Sequence, residues 1–434
     1  MRVAIKTLGC KINQYDSAVI QERLARECCS VVPFEEPADV YVVNTCTVTD
    51  RADWEARQLV RKARRRSPAS RVVVTGCYAQ VSPEEVSALP GVDFVVGLNR
   101  MDELVRCVTG GEAQAAPAVS VGNPRDERGV GVLGARRFLG RTRAFLKVQE
   151  GCNFACSYCI IPTARGRSRS VPPERVLDQV RGLADAGFSE IVLTGIHLGG
   201  YGYDLSPRLP LAGLVRRIAG SGLIRRLRLS SLDPREVTGE LLEVMAGSEA
   251  VCPHLHVCVQ AGEDGILKKM RRNYDTACFA RVMERARRKL PRAALGTDVI
   301  VGFPGETERA FGASLDFLAG LPLTYFHVFP YSARRGTPAA VMPDQVPPAE
   351  KKERSLRARA LGARKKHEFY RSQVGRRVSV LVEKPLAGEP GRLQGYSRNY
   401  LPVLLAGGPD LVHREVPVRL REWSRGRLWG EVQC

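Results

Sequence analysis

Cys152, Cys156 and Cys159 have the spacing C-x3-C-x2-C in the segment Gly151-Cys-Asn-Phe-Ala-Cys-Ser-Tyr-Cys159. Thiolates this close in sequence can wrap one face of an iron–sulfur cluster. A complete [4Fe–4S] site uses four cysteines, so three leave one iron open to another ligand. The competing chemistry is a structural zinc site, which needs four tetrahedral ligands, often from paired C-x2-C knuckles. The closest histidine in sequence is His197, and no fourth ligand stands beside the triplet. The triplet therefore reads as a redox centre with an open coordination position.

A second set of three cysteines is spread along the chain. Cys10 follows the strand-like run Arg2–Leu8, Cys46 follows Asp39–Thr45, and Cys77 follows Arg71–Gly76. Helical stretches from Asn13 and from about Asp50 to Arg66 separate these runs, and Asp93–Val96 is a fourth strand. Short apolar strands alternating with helices predict a parallel, doubly wound sheet. Parallel strands bring their C-terminal ends to one edge, where α/β proteins bind ligands. Cys10, Cys46 and Cys77 are therefore expected to meet in space. The chain has 13 cysteines, an odd number that fits a disulfide framework poorly. In a reducing compartment such cysteines read as metal or catalytic groups. Cys28, Cys29, Cys107, Cys252, Cys258, Cys278 and Cys434 lack equivalent placement and read as structural or free.

The elements that must position these thiols divide the chain into four parts. Residues 1–109 form the doubly wound sheet. Residues 110–140, rich in Gly, Ala, Pro and Arg, read as a linker. Their Gly129-Val-Gly-Val-Leu-Gly134 matches G-x-G-x-x-G formally but follows no apolar strand, so a dinucleotide reading is rejected. Residues 141–371 hold six strand candidates: Ala144–Gln149, Glu190–Gly195, Arg226–Ser231, His254–Val259, Ala294–Val301 and Leu323–Tyr331. Six β/α units fall short of a closed eight-stranded barrel, so a partial (β/α)6 barrel is expected. The central triplet then sits at the C-terminal end of the first barrel strand, where barrels place their chemistry. In the fourth strand His254, His256, Cys258 and Gln260 share one face, expected to be the barrel interior. Arg226, Arg228 and Ser230 share a face in the third. Residues 350–371 form a basic helix, and 372–434 read as a small antiparallel β-barrel.

The net charge of +20 favours a polyanionic partner such as nucleic acid. From Arg371 to Cys434 there are 11 Arg and Lys against 6 acids, with Tyr396, Tyr400, Trp423 and Trp429 among them. Aromatics so placed either stack on bases or fill the core of the small domain. The 351–371 helix and the Arg61–Arg66 run are candidate phosphate contacts, with a solvated face as the plain alternative. Leu8-Gly9-Cys10 has the look of a lipoprotein box, but Lys6 interrupts the short segment before it. No run of 18 apolar residues is present, so no membrane association and a cytoplasmic location are expected.

The C-x3-C-x2-C spacing on a partial barrel resembles the radical S-adenosylmethionine (SAM) superfamily. Thr7-Leu-Gly-Cys-Lys-Ile-Asn-Gln14, Asn44-Thr-Cys-Thr-Val-Thr49 and Thr75-Gly-Cys77 resemble the N-terminal domain of its methylthiotransferases. Arg165-Gly-Arg-Ser-Arg-Ser170, Leu193-Thr-Gly-Ile-His-Leu198 and Tyr331-Ser-Ala-Arg-Arg-Gly-Thr337 resemble the same family, and residues 372–434 its RNA-binding TRAM domain. The resemblance implies SAM and two [4Fe–4S] clusters, one on Cys152, Cys156 and Cys159, the other on Cys10, Cys46 and Cys77. It implies that a radical from SAM removes the hydrogen at C2 of a tRNA adenine and that the second cluster delivers a methylthio group. Thr194, Gly195, His197, Arg228, Ser230, His256, Gln260, Ile300 and Val301 are the positions expected to contact SAM. The wording around Cys10 and Cys46 is most similar to the branch acting on N6-threonylcarbamoyladenosine at position 37, in the tRNA anticodon stem-loop. Branches acting on isopentenyladenosine in tRNA or on a ribosomal-protein aspartate are the alternatives, and a zinc-stabilised RNA-binding protein is the alternative from another class. An electron donor such as flavodoxin or ferredoxin is implied as a partner, and the oligomeric state stays open.

Overall fold

The computed structural model describes residues 1–110, 117–131, 134–138, 140–424 and 426–433. The first strands are rich in Val and are short: β1 (Arg2–Thr7), β2 (Ser30–Val32), β3 (Val40–Thr45), β4 (Arg71–Gly76), β5 (Phe94–Val96) and β6 (Ala118–Ser120). They pair in the order β2-β1-β3-β4-β5-β6, and every pair is parallel. β3 is buried along its whole length, as a strand covered on both faces must be. Tyr41, Val43, Val72 and Val74 face one core with Ala56 and Val60 of helix α2 (Asp50–Arg66). Val40, Val42 and Val73 face the other with Ile20 and Leu24 of helix α1 (Lys11–Arg26).

Two strands of this sheet were not foreseen. β2 has three residues, and β6 lies inside the expected linker, where it pairs with β5. Three-residue strands carry no readable period. Val130, Ala135 and Phe138 of the same segment are buried in the barrel core, so it is packed along part of its length. The rejected G-x-G-x-x-G match lies partly outside the described residues. The Arg61–Arg66 run also changes meaning. Arg64 donates to both oxygens of Asp93 at 2.6 Å, and Arg66 donates to the Phe34 carbonyl at 2.8 Å. Part of that run therefore braces the sheet.

The central unit is built on β7 (Arg143–Glu150), β8 (Arg169–Ser170), β9 (Glu190–Gly195), β10 (Arg226–Leu229), β11 (His254–His256), β12 (Ala294–Val301) and β13 (Tyr325–Pro330). Their orders are β10-β9-β7-β8 and β11-β12-β13, with single bridges Leu227–Val251 and Leu232–Val257 closing the seam. Apart from the short antiparallel β8, the pairs are parallel, giving the expected six-stranded open barrel. β11 is shorter than expected because residues beyond His256 bond alternately to the two neighbours: Val257 N to Gly296 O, then Cys258 N to Leu232 O. The alternation still holds. Leu255, Val257 and Val259 are fully buried in the outer core, while His254 and His256 face the interior cavity.

The helix Pro348–Arg371 leads to β14 (Arg377–Pro385), β15 (Arg392–Ser397), β16 (Pro402–Ala406), β17 (Glu415–Ser424) and β18 (Arg427–Val432). They close into a barrel in the order β14-β15-β16-β18-β17. The expectation of a wholly antiparallel barrel is corrected at one seam, where β16 and β18 run parallel. The four tail aromatics each pack against side chains of this chain. Tyr396 and Tyr400 stack at 5.1 Å, with Arg143 4.7 Å above one ring and Arg228 4.6 Å above the other. Trp423 packs on Tyr370 and donates to His367 Nδ1 at 2.7 Å, while Arg392 lies over Trp429.

A buried ion network fixes this small barrel to the bottom of the central one. Glu190 Oε2 accepts from Arg226 Nε at 2.7 Å, and Oε1 accepts from Arg228 Nε at 2.7 Å. Arg226 reaches on to Glu415 at 2.7 Å and to the Tyr396 carbonyl at 3.0 Å. Arg228 donates to the Arg398 carbonyl at 2.9 Å. Burial alone would raise the Glu190 carboxyl, but Arg228 and Arg226 outweigh it and hold it at about 2. Among the described residues no helix is long and apolar enough to cross a membrane.

Candidate functional site

The central triplet lies in the loop after β7. Gly151 has φ +71°, and a Cβ there would fall 1.9 Å from the Arg167 carbonyl, so only glycine fits. Cys152 N donates to the Gly166 carbonyl at 3.1 Å. Gln149 Nε2 donates to the carbonyls of Glu150 and Gly151 and to Ser168 Oγ at 2.7–2.9 Å. Its Oε1 accepts from His197 N at 2.7 Å, so one buried amide holds the loop against β9. On the far side Ser157 is pinned to Met270 and Lys269 carbonyls. Cys152 Sγ accepts from Phe154 N at 3.4 Å, and Cys156 Sγ accepts from Arg272 Nη1 at 3.0 Å. Arg272 also pairs with Asp233. Burial pushes the Cys152 thiol up to about 11 and the Cys159 thiol up to about 12, and the Cys156 sulfur adds to both. Thiolates in such a place need a positive group among them, and an all-sulfur donor set suits an iron–sulfur cluster.

The second triplet converges as the strand order requires. β1, β3 and β4 are neighbours, and Cys10, Cys46 and Cys77 follow their C-terminal ends. Gly9 has φ +93°, and a Cβ on it would meet Cys46 Sγ at 2.9 Å. Asn13 Nδ2 ties the turns together, donating to the Leu8 carbonyl at 2.8 Å and the Thr45 carbonyl at 2.9 Å. Burial raises Cys46 to about 12, with the nearby Cys77 and Cys10 sulfurs adding to the effect. This set meets the same test of donor chemistry as the first.

Between the triplets lies a buried charge network that sequence reasoning missed. Arg165 donates to Asn13 Oδ1 at 2.6 Å, to Glu150 Oε1 at 2.9 Å and to Asp16 Oδ2 at 3.1 Å. Lys147 donates to Asp16 Oδ1 at 2.7 Å and to Glu150 Oε2 at 2.9 Å. Two cations thus meet two anions. Arg165 opposes the rise that burial imposes on Cys77. Its neighbour Gly166 holds the Cys152 amide. Arg165 therefore touches the surroundings of both thiol sets. The Arg165-Gly-Arg stretch was visible as a motif, but nothing in an Arg-rich chain marked which arginine was buried.

Residues 2–97 match the family described as uncharacterized protein family UPF0004, and residues 146–318 match the radical SAM superfamily. The threonylcarbamoyladenosine tRNA methylthiotransferase MtaB of Bacillus subtilis is 41% identical over 96% of this chain and 93% of its own length. The chain belongs to the radical SAM methylthiotransferase family. A tRNA-2-methylthio-N(6)-dimethylallyladenosine synthase from Moorella thermoacetica is 35% identical over 99% of this chain and 97% of its own length. In fold the protein is similar to the radical SAM methyltransferase TsrM of Kitasatospora setae, with a TM-score of 0.59 at 19% identity over 78% of this chain and 77% of that one.

This family implies SAM and a [4Fe–4S] cluster, and the expected SAM positions of this methylthiotransferase fall into three groups. Thr194, Gly195 and His197 end β9 beside the central triplet. Gly195 leaves room for Gln149, whose Oε1 would lie 2.8 Å from an added Cβ. His197 faces Glu236 and lies 4.3 Å from the Phe154 ring, in a cleft of about 550 Å³. Gln260, Ile300 and Val301 form a backbone shelf: Ile300 N donates to Gln260 O at 2.8 Å, and Gln260 takes φ +68°. Ser230 and His256 line a second cavity of about 430 Å³. There Asp298 accepts from His256 Nε2 at 2.9 Å and His327 Nδ1 at 3.1 Å, which holds its carboxyl far below the usual range against the opposing effect of burial. Arg228 lines this cavity too. Its guanidinium pairs with Glu190, the first residue of β9, at the strand end opposite the Cys loop, and so also serves the domain joint.

Proposed function

We propose that this protein replaces the C2 hydrogen of N6-threonylcarbamoyladenosine, at position 37 of the tRNA anticodon stem-loop, with a methylthio group. The observation that carries the reading is the meeting of two thiol triplets, from separate units of the chain, across the Arg165 network. We assign one [4Fe–4S] cluster to Cys152, Cys156 and Cys159 and a second to Cys10, Cys46 and Cys77. When bound, the clusters and SAM supply a carbon radical at the central triplet and a methylated sulfur at the other.

The chain's own side chains do the remaining work. Arg272 steadies the Cys156 sulfur by a charge-assisted hydrogen bond. Gln149 and Gly151 fix the loop height, and the Gln260–Ile300 shelf offers a flat backbone edge to a planar ring. The Arg165, Lys147, Asp16 and Glu150 network places two buried cations against two anions between the triplets and ties the units that carry them. The net charge of +20 draws the polyanionic substrate, with the free cations of the 351–371 helix and the small barrel as contact candidates. An electron donor such as flavodoxin or ferredoxin, working in the cytoplasm, completes the system.

The experiment is mass spectrometry of tRNA nucleosides from cells lacking this protein. The 2-methylthio derivative of threonylcarbamoyladenosine disappears and its unmethylthiolated precursor accumulates. Loss of the isopentenyladenosine derivative instead would move the protein to the other substrate.

A further inference from the structure

The 430 Å³ cavity is lined by more than the positions expected to contact SAM. Helix α1 contributes Lys11 and Gln14, the barrel contributes its interior face, and the small barrel contributes Tyr400. Cys10 is the residue that caps α1, so Lys11 opens the cavity directly beside the second triplet.

The charges there do not balance. Arg143 is paired with Glu383, and Arg228 with Glu190. Asp298 is taken by His256 and His327. Lys11 and Arg141, both exposed, line the space and form no ion pair among the described residues, although Glu383 acts on Arg141 from further off. Two of the lining side chains are nine-tenths or more buried and carry unpartnered atoms. Ser230 Oγ and His254 Nδ1 each lack a hydrogen-bond partner, and both residues are 5% exposed. Buried polar atoms without partners are uncommon and call for a ligand.

We infer that Lys11 and Arg141 bind the carboxylate of the N6 substituent, with Ser230 Oγ and His254 Nδ1 meeting its hydroxyl and carbamoyl groups. The inference rests on the proposed substrate class and names how that class is chosen. The relatives fall into two substrate groups: a threonylcarbamoyl base, which carries a carboxylate, and a dimethylallyl base, which is uncharged hydrocarbon. A hydrocarbon in this cavity would strip water from two cations and return no bond to them or to the two unpartnered atoms. A carboxylate returns charge-assisted bonds to both cations. Discrimination of this kind is strong where a site is built for a polar group.

The test is equilibrium binding of anticodon stem-loop RNAs to the anaerobically reconstituted full chain. The RNAs carry threonylcarbamoyladenosine, dimethylallyladenosine or plain adenosine at position 37. The readout is the affinity ratio within each protein, so a general loss of RNA affinity cancels. Wild type favours the threonylcarbamoyl RNA over plain adenosine by about tenfold or more, the value of one or two charge-assisted bonds. Arg141→Gln narrows the ratio, and Lys11→Gln with Arg141→Gln brings it within about threefold of unity, while Lys11→Arg retains it. Iron content equal to wild type shows that the variants are assembled. A double variant that keeps the wild-type ratio overturns the carboxylate site and leaves the substrate class standing. A wild type that favours the dimethylallyl RNA overturns both.

Discussion

Single Ala substitutions of the six converging cysteines separate into two behaviours. Cys152→Ala, Cys156→Ala and Cys159→Ala each reduce reductive SAM cleavage below about one-thousandth of wild type, a barrier change of about 4 kcal/mol. Cys10→Ala, Cys46→Ala and Cys77→Ala leave SAM cleavage within a few-fold of wild type but abolish methylthiolation. The reason is geometric. Each triplet is held by its own scaffold: Gln149, Gly151 and Ser157 for the first, Gly9 and Asn13 for the second. Loss of one thiolate leaves two for a cluster that needs three, and the other scaffold is untouched. Cleavage is read as 5′-deoxyadenosine formed under dithionite, and methylthiolation as modified nucleoside in the same reaction. If the second group also lost cleavage, the two triplets would not be independent centres.

Glu190→Gln destabilises the joint between the barrels by about 3–5 kcal/mol at neutral pH. The carboxylate is fully buried and is the shared acceptor for Arg226 and Arg228. Removing its charge leaves two buried guanidiniums with one nearby acid, Glu415, which Arg398 also uses. The sign with pH follows from the depressed value of about 2. The unfolded chain takes up the proton near the ordinary glutamate value of about 4.3. The contribution is therefore complete above about pH 4.3 and is lost as pH falls through that value toward 2. Urea unfolding followed by Trp423 and Trp429 fluorescence reads the gap between wild type and variant. The gap is largest at pH 7 and closes in acid. A gap that stays constant down to the lowest pH at which both remain folded would contradict the assigned charge.

Strand-end cysteines were legible in the sequence because parallel topology is regular. Once Asp39–Thr45 and Arg71–Gly76 read as strands, the meeting of Cys46 and Cys77 followed. The inward face of His254 and His256 was legible for the same reason, the two-residue period. For Arg228 that period gives the face but not the direction of a long side chain along the barrel axis. Its guanidinium turned toward Glu190 and the small barrel, partners far away in sequence. Tyr396 and Tyr400 were ambiguous until Arg143 and Arg228 were found against their rings. Arg165 and Arg272 could not be singled out among so many arginines, since only tertiary contact distinguishes a buried guanidinium from a solvated one. The carboxylate cavity was likewise invisible, because Lys11 and Arg141 belong to different parts of the chain.

The central claim is that one chain holds two three-thiolate iron–sulfur sites. Iron and acid-labile sulfide analysis of anaerobically prepared protein tests it most directly. Wild type is predicted to carry about eight irons and as many sulfides, and the Cys152→Ala, Cys156→Ala, Cys159→Ala triple variant about four of each. Four irons in wild type, or a colourless protein with stoichiometric zinc, would contradict the account.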